Sequence, residues 1–492
     1  MGLEIERDEF ADEDYAAFEA RLADGLDVLR ELLGRPGFGV GDPSLGAELE
    51  VALIDRAARP LPLNLEVLAE TVDPRMTFEL DRFNLECNLR HTDLRGRPFD
   101  ALRAELEDAR RELERAAAVH GGRVVMVGIL PTVRESDLTS SALTPSARYR
   151  ALARALRGAR SEPFVLDIAG EDPLHLDCDE VTFEGAATSL QIHLRVDPDR
   201  FAATFNAAQL ATAPALAVAG NSPTFLGHRL WDETRVALFK QAVDDRTHAD
   251  RAARQHARVH FGLGWIETGA LELFASAIEH YPVLLPKVFD EDPREEIEAG
   301  RVPRLGEIRL HQGTVWHWNR PVYDPADGGH LRIELRALPS GPTVEDILAN
   351  TAFLVGLTLG LAPDMEAVAD ELDFETAHAN FYRAAQSGLG AALRWPVAAG
   401  GGDDPASARE LVGRLVERAA AGLAGVGADP AGLLDVVSAR AERAQTGAVW
   451  QRRALAALES TRSRDEALRA LVEHYHARSR EGGPVHTWTI PG

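Results

Sequence analysis

Two acids one residue apart sit in a run of alternating polarity. The stretch LGAELEVALID (45–55) puts Glu48 and Glu50 on one side and Leu45, Ala47, Leu49, Val51 and Leu53 on the other. Three further segments repeat the pattern. In 84–90 the polar side carries Asn84, Glu86, Asn88 and Arg90. In 189–196 it carries Ser189, Gln191, His193 and Arg195, and in 332–337 Arg332, Glu334 and Arg336. Side chains alternate across a strand, so each set shares one face. A single antiparallel sheet with one wet side accounts for the spacing alone. The residue types suggest more, because Glu, Asn, Gln, His and Arg replace the Thr and Lys common on exposed strands. Carboxylates gathered on one sheet repel each other unless cations intervene. Magnesium takes hard oxygen ligands and bridges phosphates, and arginines read phosphate or carboxylate through a planar fork. The combination describes a platform for Mg²⁺ and a nucleotide.

Those strands need elements to hold them. Residues 12–33 space Tyr15, Phe18, Leu22, Leu29 and Leu33 as a helix, which GRPGFGVGDP then breaks. Further helices are expected over 99–119, over 197–223 as one helix or a pair, over 267–285 and over 342–361. Strands are expected over 78–90, 122–130, 189–196, 313–319 and 330–338. VAAGGGDDPASA (397–408) reads as a linker, and only helices follow it, three of them, over 408–424, 430–444 and 461–480. Strands and helices are mixed without regular βαβ alternation, so the fold class is α+β. The expected organisation is a catalytic domain over 1–396, including helix 12–33, and an α-helical extension over 404–482.

Bulk properties narrow the function. The 492-residue chain carries a formal charge of −25, which argues against nucleic acid or an anionic membrane as a main partner. Lys240 and Lys287 are the only lysines and neither follows a glycine-rich loop, so a Walker-type phosphate loop is excluded. Any nucleotide phosphate must be met by arginines and metal ions. Cys87 and Cys178 cannot form a disulfide framework, and a reducing cytoplasm is the expected compartment. The opening residues lack an apolar signal core, Gly2 fits a myristoylation signal poorly, and no run is read as bilayer-spanning.

Four motifs, in order, resemble the glutamate–cysteine ligase family, in its branch of bacterial carboxylate–amine ligases and plant-type enzymes. LGAELEVALID resembles the opening G-x-E-x-E strand, and SLQIHLRV a later polar strand. AGNSPTFLGHRLWDETR (219–235) resembles the A-N-S-P stretch. HQGTVWHWNRPVYDPADGGHLRIELRAL (311–338) resembles an aromatic strand ending in Arg followed by an E-x-R strand. The likeness runs over roughly 40–395. It implies an antiparallel catalytic sheet related to that of glutamine synthetase, open on one face. It also implies a cytoplasmic, ATP- and Mg²⁺-dependent ligase of small molecules, of the kind that serves glutathione biosynthesis. Carried over residue by residue, Glu48, Glu50 and Glu86 would bind Mg²⁺, and His193 and Glu334 would complete metal or nucleotide coordination. Arg235, Arg336 and Arg320 would neutralise the transferring phosphoryl group or hold the acid. The chain departs from the family pattern at Asn319, before Arg320, and at Arg195, where a small residue is common.

Several residues keep two readings. Trp316 and Trp318 either pack or recognise adenine. His175, Asp177 and Asp179 are either a cation loop or only a loop, Cys178 belongs to that loop, and Cys87 belongs to the core. The charged stretch 289–307 is a lid or a solvated excursion. The helical tail covers the sheet or makes a dimer contact. A ligase for another acid–amine pair, an idle nucleotide- or amino-acid-binding relative and a metal-dependent hydrolase are the rival functions.

Overall fold

The computed structural model describes residues 5–160, 162–402 and 404–492. Gly2 and the start of the leader reading therefore lie outside the described residues.

A seven-stranded antiparallel sheet organises the chain. Its strands are β1 (Ser44–Ile54), β2 (Met76–Phe78), β3 (Asn84–Asp93), β4 (Arg123–Val125), β5 (Leu190–Val196), β6 (Asn319–Asp324) and β7 (His330–Leu335). The order is β6-β7-β5-β1-β3-β2, with β4 also paired to β1. Register decides which side chains meet. Glu48 stands between Asn88 and Gln191, Glu50 opposite Glu86, and His193 opposite Glu334, which faces Arg320. A bulge between Leu45 and Ala47 precedes Glu48, a device that re-aims side chains on a bent strand.

The apolar sides of these strands, including Leu49, Leu85, Cys87, Ile192 and Leu335, are fully buried. Helices α1 (Pro98–Val119) and α2 (Val344–Leu361) pack against the sheet. Thr343 caps the second by accepting the Asp346 N–H at 3.0 Å. Helix Asp12–Leu33 has the bounds its spacing predicts. The 289–307 stretch is docked on that helix, with Arg21 reaching Asp292 and Glu307, so it is not a solvated excursion.

Some expectations are corrected. The strand read over 122–130 shrinks to Arg123–Val125. That over 313–319 becomes a two-residue parallel pairing of Trp316–His317 with Val259–His260, and the arginine strand starts only at Asn319. Cys178 is buried at the end of a hairpin strand and is not a loop residue. Two runs do reach bilayer-spanning length, Pro198–Ala219 and Val344–Glu371, but 89% and 83% of their apolar windows are buried inside the protein. The stretch 397–408 turns back so that Ala406–Ser407 pair with Ala392–Leu393.

The tail holds four helices, one more than the sequence suggested: α3 (Ala408–Gly425), α4 (Leu433–Arg443), α5 (Gly447–Glu459) and α6 (Arg464–Glu481). It shares the main core. Arg440, 1% exposed, donates to Asp346 at 2.7 Å and to the Val218 carbonyl at 3.0 Å. The Tyr475 hydroxyl accepts from Asn221 and donates to the Met126 carbonyl, both at 2.8 Å.

Candidate active site

The polar side of the sheet floors a cavity of about 820 Å³, within the range of ligand pockets. Glu48, Glu50, Glu86, His193, Glu334, Arg336, Arg320 and Trp316 all line it. Their convergence follows from the register, which sets β1, β3, β5, β7 and β6 side by side with the same parity facing in.

Two groups of ligating atoms form within it. Glu48, His193 and Glu334 make one, and Glu50, Glu79 and Glu86 the other; within each, one atom per residue lies within 4.8 Å of the rest. His193 Nε2 is 3.0 Å from Glu48 Oε1. Glu50 accepts from Gln191 Nε2 at 2.9 Å and from the Ser189 amide at 2.6 Å. Glu79 and Glu86 share a hydrogen bond between their carboxyl groups. Asn88 donates to Glu86 at 2.7 Å. These contacts orient the acids as outer-shell partners orient metal ligands.

The electrostatics divide the site. Burial, reinforced by the Glu50 charge, pushes Glu79 up to about 8. Burial and the Glu48 and Glu79 charges raise Glu86 well above its ordinary range. Glu184, on the cavity wall, is likewise pushed up to about 8 by burial and Glu50. Arg336 and Arg235 act on Glu184 in the opposite direction, yet all three acids stay above the ordinary carboxylate range. An all-oxygen set that resists ionisation without a cation fits a hard divalent ion. Glu334 behaves oppositely. Burial works to raise it, but Arg320 and Arg336 hold it well below the carboxylate range. Arg320 donates to its two oxygens at 2.7 and 3.0 Å, and Arg336 joins them while also holding Gln191.

Arg235 is the one proposed site residue that does not line the cavity. It is buried, with its guanidinium donating to Glu233 at 3.1 Å and to the Ala337 carbonyl at 3.2 Å. The helix that carries it is committed to the A-N-S-P loop, since Glu233 also accepts from Ser222 at 2.7 Å and from the Asn221 amide at 3.0 Å. Trp316 is half-buried on the cavity wall, whereas Trp318 is 2% exposed and packs on Phe239 and Phe381. His175, Asp177 and Asp179 are exposed on a hairpin and join no ligating group among the described residues.

Sequence reading missed Glu79, Glu184, Arg148 and Arg309, all on the cavity wall. Glu79 follows the short β2, where three residues show no usable alternation. Glu184 sits in a helical turn, Thr182–Gly185, too short to carry a period. Both were within reach of one signal only, an acid next to a buried apolar residue.

The family model of glutamate-cysteine ligase family 2 matches residues 44–474. This chain belongs to that family. The match enters the tail through α5 and most of α6. Among solved structures, the chain is similar to glutamate–cysteine ligase from Francisella tularensis in complex with AMP. The identity is 10% and the TM-score 0.53, over 92% of this chain and 91% of that one. It is also similar to a bifunctional glutathione synthetase from Pasteurella multocida, at 12% identity and a TM-score of 0.48, over 95% of this chain and 55% of that one. No curated protein matches it. The first structure agrees with the α+β fold and its antiparallel sheet; family membership makes the chain one of the carboxylate–amine ligases.

Proposed function

We propose that this protein is an ATP- and Mg²⁺-dependent ligase of the glutamate–cysteine ligase type, joining an amino-acid carboxylate to an amine through an acyl phosphate. The observation that carries the reading is the pair of ligating groups on one sheet face, one all-carboxylate and the other tied to two arginines. Glu50, Glu79 and Glu86 would hold one Mg²⁺, and Glu48, His193 and Glu334 another. When bound, Mg²⁺ would supply charge neutralisation for the phosphates.

The chain's own residues do the positioning. Arg320 and Arg336 keep Glu334 ionised and place positive charge where the phosphoryl group passes. Gln191 and the Ser189 amide fix the Glu50 carboxylate; Asn88 fixes Glu86. A carboxylate oxygen of the acid attacks the γ-phosphorus of ATP and ADP leaves. The amine nitrogen then attacks the acyl carbon, the carbon–oxygen bond to phosphate breaks, and phosphate departs as the nitrogen loses a proton. No protein nucleophile is needed. Arg235 contributes through the buried Glu233 network that anchors the A-N-S-P loop. The division at about 396 marks a catalytic part and a bracing tail. The two free buried thiols suit a reducing cytoplasm.

ADP release tests the reading. Purified protein with Mg²⁺ and ATP should release ADP only when glutamate and an amine are both present. Glu50→Gln should remove that turnover while leaving the circular dichroism spectrum and melting temperature close to wild type. A fully active Glu50→Gln enzyme rules out the metal assignment.

A further inference from the structure

The cavity is not charged throughout. An apolar set, Phe239, Val243, Phe274, Leu285 and Trp316, belongs to its lining, with Phe239 and Trp316 the partly exposed members of this wall. Val243, Phe274 and Leu285 are each no more than 3% exposed. The Phe239 and Trp316 rings lie 5.9 Å apart at 55°, and Trp318 buttresses Phe239 edge-on at 5.8 Å. One polar group stands beside the wall. Gln312 lines the same cavity and is 5% exposed, yet its Nε2 has no hydrogen-bond partner among the described residues. The segment bearing Trp316 runs straight into Arg320, so the apolar wall adjoins the Arg320–Glu334 pair.

Neither ATP phosphates nor the acid to be activated suits this wall. A carboxylate or phosphate placed there loses its hydration without a partner, whereas an apolar body gains by burial. The second half-reaction needs a neutral amine nitrogen, and apolar surroundings favour it, because burial disfavours the ammonium form. We propose that this wall seats the amine substrate, and that this amine carries a bulky apolar body, aromatic or branched aliphatic. The inference rests on the ligase reading and narrows it. An amine that is itself an amino acid also presents a carboxylate, and Gln312 Nε2 is the donor left open for it. Attack forms the carbon–nitrogen bond and expels phosphate with the electron pair of the broken carbon–oxygen bond; the ammonium proton passes to that phosphate.

The test uses the full chain with Mg²⁺, ATP and glutamate, and compares L-phenylalanine, L-leucine and phenethylamine with L-cysteine. ADP release should give a kcat/KM at least tenfold higher for the best apolar amine than for cysteine. Phe239→Ser should raise the KM for that amine at least tenfold and leave the KM for ATP unchanged. Trp316→Leu, which keeps the wall apolar, should have a smaller effect and guards against a folding defect. Binding of phenethylamine, followed by tryptophan fluorescence, gives a second readout. Cysteine turned over as well as or better than every apolar amine overturns the inference and leaves the ligase reading intact. Phenethylamine binding that Phe239→Ser removes, with no ADP from any pair, overturns the ligase reading and keeps the apolar ligand. Neither binding nor ADP overturns both.

Discussion

Arg320 grips Glu334 through two contacts, 2.7 Å to one carboxylate oxygen and 3.0 Å to the other, directly across the β6–β7 ladder. The fork holds a buried carboxylate in its charged form and fixes its plane. A lysine supplies charge without the fork. Arg320→Lys should therefore fold normally and lose about tenfold or more in kcat/KM, or about 1.4 kcal/mol of transition-state stabilisation. Steady-state ADP release is the measurement, and full activity in this variant would remove Arg320 from the site.

Glu79 should be costly to the metal-free protein and useful to the metal-bound one. Glu79→Gln removes an acid whose charged form is opposed first by burial and then by Glu50, so at neutral pH the melting temperature without metal should rise by a few degrees, from about 1 kcal/mol. Affinity for Mg²⁺ should fall by about tenfold or more. Calorimetric melting with and without Mg²⁺ reads both effects, and an unchanged Mg²⁺-induced shift would contradict the ligand role.

The same corner sets a pH dependence. Glu79 and Glu184 each stand at about 8 in the folded chain, against an ordinary 4.5. Between those values the folded state binds more protons than the unfolded one, so their contribution is fully present below the ordinary value and is lost as pH rises through the folded one. Buried His311 and His317, held down to about 4 and about 3 by burial, pull the other way up to their ordinary 6.5, so the metal-free protein should melt progressively lower from ~pH 7 to ~pH 8. Saturating Mg²⁺ should flatten the slope, because cation binding favours the ionised acids. A melting temperature that climbs over this range without metal would show that these carboxyls are not protonated.

Arg440 ties α4 to Asp346 at the start of α2 and to the Val218 carbonyl. Removing one partner of a buried pair leaves the other charge uncompensated, at about 3–5 kcal/mol. Arg440→Ala should lower the midpoint of the whole unfolding transition, not detach the tail alone. Chemical denaturation followed by near- and far-ultraviolet circular dichroism should give coincident curves. A first transition confined to far-ultraviolet helix loss would mean that the tail unfolds independently.

Alternation made the site's floor legible. Every strand contributing Glu48, Glu50, Glu86, His193, Glu334 or Arg336 is long enough to show a period of two, and the register then aligned them. The walls were not legible in this way. Glu79 follows a three-residue strand, Glu184 ends a single turn, and Arg309 lies on Gly306–Gln312, which is only seven residues long. None of these carries enough repeats to declare a face. Arg235 misled for a different reason. Its place in a family-like stretch fixed its neighbourhood, but the Glu233 two residues before it competes for its guanidinium, and sequence spacing does not reveal which partner wins. The tail's helix Gly447–Glu459 was missed because its buried positions include Gly447, Gln451 and two alanines, which weaken the apolar stripe.

The Tyr475 hydroxyl fills a gap between Asn221 and the Met126 carbonyl, two groups contributed by the first half of the chain. On a ribosome, that half emerges long before Tyr475 is made. The sheet strands can pair earlier, but the loop beside them keeps open polar groups and the core remains uncovered until the final helix arrives. Synthesis therefore imposes an order. The loop is braced last, after every residue that lines the cavity has been made, so a product truncated before α6 carries every proposed site residue without the Tyr475 bridge between Asn221 and Met126.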